Sequence, residues 1–158
     1  MRKLVIIRHS KSDKSEHSID DYDRPLNNKG LSDAKLIGEY LCQKMLKPDM
    51  IMSSPATRAM STAEIIAKEV TYDKAIIPNQ YIYEAFVNTL QDLVNFTHDE
   101  NNTVFLIGHN PGVSALSYMM CGLKESIPTS AVVEIDFDCD SWMEVSRENG
   151  TLISYNFQ

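Results

Sequence analysis

Two four-residue apolar runs, Leu4-Val5-Ile6-Ile7 and Val104-Phe105-Leu106-Ile107, constrain the fold more than any other feature of the chain. Each consists of branched or aromatic residues and is bounded by polar residues or glycine, the pattern of a strand covered on both faces. Strands of that kind belong to parallel sheets flanked by helices. Helical signals fill the space between them. Asn27 or Asn28 reads as the N-cap of a first helix with an apolar stripe of Leu31, Ala34, Ile37, Leu41 and Met45, stopped at Lys47-Pro48. Met50-Ile51-Met52 reads as a strand, and Ser54-Pro55 as the cap and first position of a second helix carrying Ala59, Thr62, Ala63, Ile66 and Val70. Ala75-Ile76-Ile77 is a short strand candidate. A third helix is expected from Asn88 to Asp99 with Leu90, Leu93, Val94 and Thr97 inward, and a fourth from Gly112 to Met120. Ala131 to Phe137, Trp142 to Val145 and Leu152 to Tyr155 read as further strands separated by acidic turns. The expected class is α/β, one domain over residues 1–158: a three-layer, mostly parallel central sheet with helices on both faces and antiparallel edge strands at the C-terminus.

Composition narrows the function classes. The chain is 43% hydrophobic and 23% charged, as in globular domains. Its formal net charge of −7 disfavours nucleic acid and anionic membrane as partners. Cys42, Cys121 and Cys139 are odd in number without CxxC spacing, which suits reduced thiols in a reducing compartment. The apolar run after Met1-Arg2-Lys3 ends within four residues, and no stretch reaches the ~18 apolar residues of a membrane span, so a cytoplasmic location is expected. The methionines (Met45, Met50, Met52, Met119, Met120) are expected to fill core gaps, and His17 and His98 to lie on the surface.

Each long apolar run is followed directly by a histidine: Arg8-His9 after the first, Gly108-His109 after the second. Ligands of open parallel sheets bind outside the strand C-termini, so two imidazoles at two such ends are placed to share one site. Arg58, early in the helix after the second strand, falls at the same edge. Guanidiniums offer permanently charged, forked donors for phosphoryl oxygens, and a helix N-terminus adds backbone N–H groups. A neutral imidazole among arginines is able to attack phosphorus and carry it covalently, and a second histidine stabilises the equatorial oxygens. Residues 10–27 form the longest irregular stretch and start directly after His9, so they are expected to lie over this site. Asn110 is expected to orient His109 or to close the turn through Pro111-Gly112.

The segments LVIIRHSKSD, DYDRPLNNKG, MIMSSPATRAMSTAEII, IYEAF and VFLIGHNPG resemble, in order and spacing, the histidine phosphatase superfamily, and more narrowly its small SixA-type phosphohistidine phosphatases, over about residues 2–137. The resemblance implies a phosphoglycerate-mutase-like fold and a phosphohistidine intermediate, with no cofactor and no metal required. It implies that His9 is the nucleophile, that Arg8 and Arg58 clamp the phosphoryl group, and that His109 completes the pocket. It also implies that Arg24 faces the phosphate and that Glu84 stands where phosphomonoesterase relatives keep a proton-donating carboxylate. The chain departs from the commonest pattern at Ser10, where many members have Gly, and at Ser61, where many have Gln; Ser10 is then a small residue beside the bound group.

No long segment separates Glu84 from the 103–107 strand to build a lid, so the pocket should be open. The expected activity is removal of phosphate from phosphohistidine of a signalling or phosphotransfer protein. Two alternatives are a broad phosphomonoesterase on a small phosphoester and a phosphate- or phosphopeptide-binding module without turnover.

Overall fold

The computed structural model describes residues 1–157. Six strands form one sheet: β1 (Arg2–Arg8), β2 (Met50–Ser53), β3 (Ile77–Pro78), β4 (Thr103–Gly108), β5 (Val132–Phe137) and β6 (Gly150–Asn156), in the spatial order β3-β2-β4-β1-β5-β6. The four strands β1 to β4 run parallel, while β5 lies antiparallel to both β1 and β6. Helices α1 (Asn28–Gln43) and α2 (Thr57–Glu69) cover one face, and α3 (Val87–Asn95) and α4 (Gly112–Cys121) the other.

The two apolar runs behave as their composition requires. Leu4, Ile6, Val104 and Leu106 enter the core beside α3 and α4, whereas Val5, Ile7, Phe105 and Ile107 enter the core beside α1 and α2. The period-two alternation of a strand therefore delivers apolar side chains to two separate cores. All eight are at most 1% exposed. Burial of each such side chain stabilises the fold by roughly 1.5–3 kcal/mol.

Several local expectations are corrected. Asn27 caps α1 as expected, accepting the Gly30 amide at 2.8 Å, but the buried face of the helix is Gly30, Asp33, Ala34, Ile37, Gly38 and Leu41. Leu31 and Met45 stay exposed. The stripe is rotated because the helix is held close at two glycines. A Cβ on Gly30 would lie 2.0 Å from the Lys11 carbonyl oxygen, and one on Gly38 2.7 Å from Glu69 Cβ. Past the end of α1, Met45 adopts φ 58°, its amide bonds to Cys42 O, and the Leu46 amide bonds to Leu41 O, a Schellman closure that turns Leu46 inward instead. Met50, Met52 and Met120 do pack into the core; Met119 is partly exposed.

Ser54 does not cap the second helix; Ala56 stands at that position, and Thr57 begins the helix. α3 ends at Asn95, so Thr97 lies beyond it. Trp142 to Glu144 form a 3-10 turn in place of a strand, with Trp142 wholly buried and its indole N–H bonded to Asn101 O at 2.6 Å. The third strand shrinks to Ile77–Pro78. Among the described residues, no helix is long and apolar enough to cross a membrane.

Candidate active site

Strand register brings the two histidines together. Arg8 pairs with Gly108 and Ser53 with Ile107, so the residues just past β1, β4 and β2 (His9, His109 and Ser54) stand side by side beyond the sheet edge. The His9 amide bonds to Gly108 O at 3.0 Å, and the two imidazole centroids are 5.0 Å apart. They face a cavity of about 510 Å³ that Arg8, Arg24, Arg58 and Asn110 also line.

The tautomer of His9 follows from its neighbour. His9 Nδ1 lies 2.7 Å from Ser10 O, and a carbonyl only accepts, so Nδ1 carries the proton and Nε2 keeps a lone pair. Arg58 Nε donates toward that lone pair at 3.4 Å. Burial pushes the His9 pKa down to about 4; the Ser10 bond opposes this, and Arg58 and Arg8 reinforce it. Burial likewise takes His109 down to about 3, with His9 and Arg58 adding to the effect. Both rings are thus neutral at physiological pH, the state a nitrogen nucleophile needs.

His109 is held by Ser54, whose Oγ lies 2.7 Å from Nε2. The Ala56 amide donates to the same oxygen, which leaves the Ser54 hydroxyl proton free to reach His109. His109 Nδ1 is buried and has no partner. Arg8 donates through Nη1 to Ile127 O at 3.0 Å, while its Nε is buried and equally unpartnered. Buried polar groups ordinarily find partners, and these two orphans both belong to side chains that line the cavity.

Asp21 is the residue that sequence reasoning missed. It opens a 3-10 turn, Asp21–Asp23, in the loop over the site. Its Oδ2 accepts from Arg58 Nη2 at 3.0 Å and from the Tyr83 hydroxyl at 2.7 Å, and its Oδ1 accepts from Arg24 Nη2 at 2.8 Å. Its backbone carbonyl accepts from Arg58 Nη1 at 2.5 Å. These bonds, Tyr83 foremost, hold the carboxyl well below the usual carboxylate range. Asp21 therefore helps to aim two arginines, bonding the fork of each. The only sequence signal is the Asp21-x-x-Arg24 spacing.

The other expected site residues fall unevenly. Arg24 lines the cavity and also bonds Ser12 Oγ. Asn110 lines it but binds Ile127 O at 2.9 Å and Ser126 Oγ at 3.3 Å through Nδ2, and Ser114 through Oδ1, so it fastens the 126–127 segment rather than the His109 ring. Ser10 is wholly buried beneath the floor, its amide on Thr62 and its hydroxyl on Ser130. Its contribution is the carbonyl that fixes His9. Glu84 is exposed at φ 52° and lines an adjoining cavity of about 250 Å³ with His109 and Phe86. His17 and His98 are exposed.

The family model of the histidine phosphatase superfamily (branch 1) matches residues 4–93, more than half of the chain. An uncharacterised chloroplastic protein of Arabidopsis thaliana is 27% identical over 158 residues, covering 94% of this chain and 72% of that one. A mitochondrial serine/threonine-protein phosphatase, Pgam5 of Drosophila pseudoobscura pseudoobscura, is 32% identical over 49% of this chain and 26% of its own. Among solved structures, one from Agrobacterium tumefaciens described as a candidate phosphohistidine phosphatase SixA superposes with a TM-score of 0.86 at 25% identity, covering 99% of this chain and 98% of that one. With two neutral histidines and two arginines converging beyond parallel strand ends, and with that match, the chain belongs to the histidine phosphatase superfamily.

Proposed function

We propose that the protein is a phosphatase that removes phosphate from phosphohistidine on a protein, through a covalent phosphohistidine at His9. The observation that carries this is a neutral His9, its Nε2 left with a lone pair, lining one cavity with Arg8, Arg58 and His109. The His9 lone pair attacks phosphorus as the substrate N–P bond breaks. The substrate ring reacts with its second nitrogen protonated from solvent, so the departing imidazole takes the bonding pair and leaves neutral. His9 gains positive charge, and its Nδ1–H bond to Ser10 O strengthens as it does so. Arg8, Arg58 and His109 stabilise the charge on the equatorial oxygens. A water then attacks the phosphorus, inorganic phosphate departs, and a proton goes to solvent.

Similarity to the SixA structure supports the phosphohistidine substrate, and the open cavity suits a phosphorylated side chain on a protein surface. The alternative is phosphoester hydrolysis, favoured by Glu84 in the cavity that shares His109 and by the half-chain similarity to Pgam5. An alkoxide leaving group needs a general acid, whereas a protonated phosphoramidate nitrogen does not. Treating a histidine-phosphorylated carrier protein with the purified chain tests the reading: wild type should release phosphate and His9→Ala should not. Retention of phosphate with both proteins overturns it. Faster release from aryl phosphates, lost in Glu84→Gln, supports the ester reading instead.

A further inference from the structure

The cavity carries more positive charge than one phosphoryl group requires. Arg8, Lys11, Lys14, Arg24 and Arg58 all line it, a third of the chain's 15 lysines and arginines, in a protein of net charge −7. No carboxylate stands in that lining. The single carboxylate of Asp21 pairs with both Arg24 and Arg58 from outside, and Arg8 reaches inward to Ile127 O beside His9. Lys11 and Lys14 make no ion pair or side-chain hydrogen bond among the described residues. Asp13 accepts from the Ser15 hydroxyl and Glu16 from that of Ser18, and Glu16 and Asp21 share a neighbouring cavity of about 420 Å³ with Lys14 without an ion pair to it.

Lys11 is mounted on fixed backbone, and Lys14 follows directly after the last tethered residue, Asp13. Ser12 and Leu26 form an antiparallel bridge, the Asn27 amide bonds to Lys11 O at 3.0 Å, and the Asp13 amide bonds to Pro25 O at 2.9 Å. Gly30 is what lets α1 approach Lys11 so closely. Two unpaired ammonium groups at the rim of an anion cavity are a recognition element. We infer that Lys11 and Lys14 form a second anion subsite, which selects substrates carrying a carboxylate or phosphate next to the phosphoryl group transferred to His9. This rests on the reading of the cavity as a phosphoryl site.

The same chemistry has two sources, an acidic residue beside a phosphohistidine on a protein or a second anionic group on a small phosphate. Calorimetric titration of His9→Ala, which binds without turnover, with 3-carboxyphenyl phosphate and with its neutral 3-carbamoyl analogue reads the preference directly. The carboxylate should bind about fivefold more tightly. That ratio should collapse toward one on adding Lys11→Met and Lys14→Met, persist on adding Lys11→Arg and Lys14→Arg, and shrink as ionic strength rises. Equal binding of the two probes, or a preference that survives both methionines, overturns the subsite and leaves the phosphoryl site standing. Binding of neither probe removes the phosphoryl reading, and the subsite with it. Phosphohistidine peptides flanked by Glu or by Gln then separate the sources: with wild-type enzyme, faster release from the Glu peptide identifies an acidic protein surface, and equal release with the probe preference intact identifies a small phosphate.

Discussion

His9 and Lys11 stand two residues apart and face the same cavity, yet they are held by different means. His9 is 7% exposed, its backbone is locked to Gly108 and its ring to Ser10, and its neighbours are strand ends and the first turn of α2. Lys11 is exposed, with a fixed carbonyl and a free side chain. The floor of the cavity is thus pre-organised by the β-ladder, whereas the rim, including Arg24 and Asp21, depends on a loop folded back by one bridge and a few hydrogen bonds. Chemistry belongs on the rigid part and recognition on the adaptable part.

That division can be broken by mutation. His9→Ala should lower turnover by at least about a thousandfold with circular dichroism unchanged, since the other neutral imidazole in the cavity, His109, has its Nε2 lone pair engaged by the Ser54 hydroxyl; residual activity above a tenth of wild type would move the nucleophile elsewhere. His109→Ala and Arg58→Lys should each cost about a hundredfold, mostly in kcat, because their donors act on developing charge. The floor also carries a stability signature. Above pH 6.5 both histidines are neutral in folded and unfolded chains and contribute nothing. Between pH 6.5 and about 4 the unfolded chain takes up protons that folded His9 refuses, so stability falls with pH there, by on the order of 3 kcal/mol for His9. Urea denaturation at pH 7 and pH 4.5 should show this loss, reduced in His9→Gln; equal loss in both proteins would mean that the ring is not buried as described.

Effects at the rim should be smaller. Asp21→Ala should reduce kcat/KM about tenfold by releasing Arg58 and Arg24, with Asp21→Asn intermediate. Tighter phosphate binding in Asp21→Ala would show that the carboxylate competes for the guanidiniums rather than aiming them. Glu84→Gln should change phosphohistidine hydrolysis by less than about threefold. A larger loss would bring Glu84 into the proton transfer.

What was legible in the sequence follows the same boundary. The apolar tetrads specify strands buried on both faces, and a histidine directly after each is carried to the sheet edge by geometry alone, so the fold and the floor could be read. Ser54-Pro55 carries the signal of a helix cap, but its hydroxyl serves His109 instead, since helix α2 starts three residues later. Beyond its spacing to Arg24, Asp21 carried no signal, because its partners Arg58 and Tyr83 are 37 and 62 residues away and meet it only once the loop has folded. Ser10 resembled a substrate contact, yet the chain just past β1 turns its side chain beneath the cavity floor toward Ser130. Trp142 has strand-like composition, but its buried indole and the Ser141 capping box close a turn.

The central claim is that His9 Nε2, freed by the Nδ1–H bond to Ser10, is the atom that takes the phosphoryl group. Trapping the phosphoenzyme under alkaline quench and assigning it by mass spectrometry and 31P–1H correlation tests this directly. One phosphoryl group on Nε2 of His9, absent from His9→Ala, is the predicted result. Label on Nδ1, on His109, or on any serine or cysteine would contradict it.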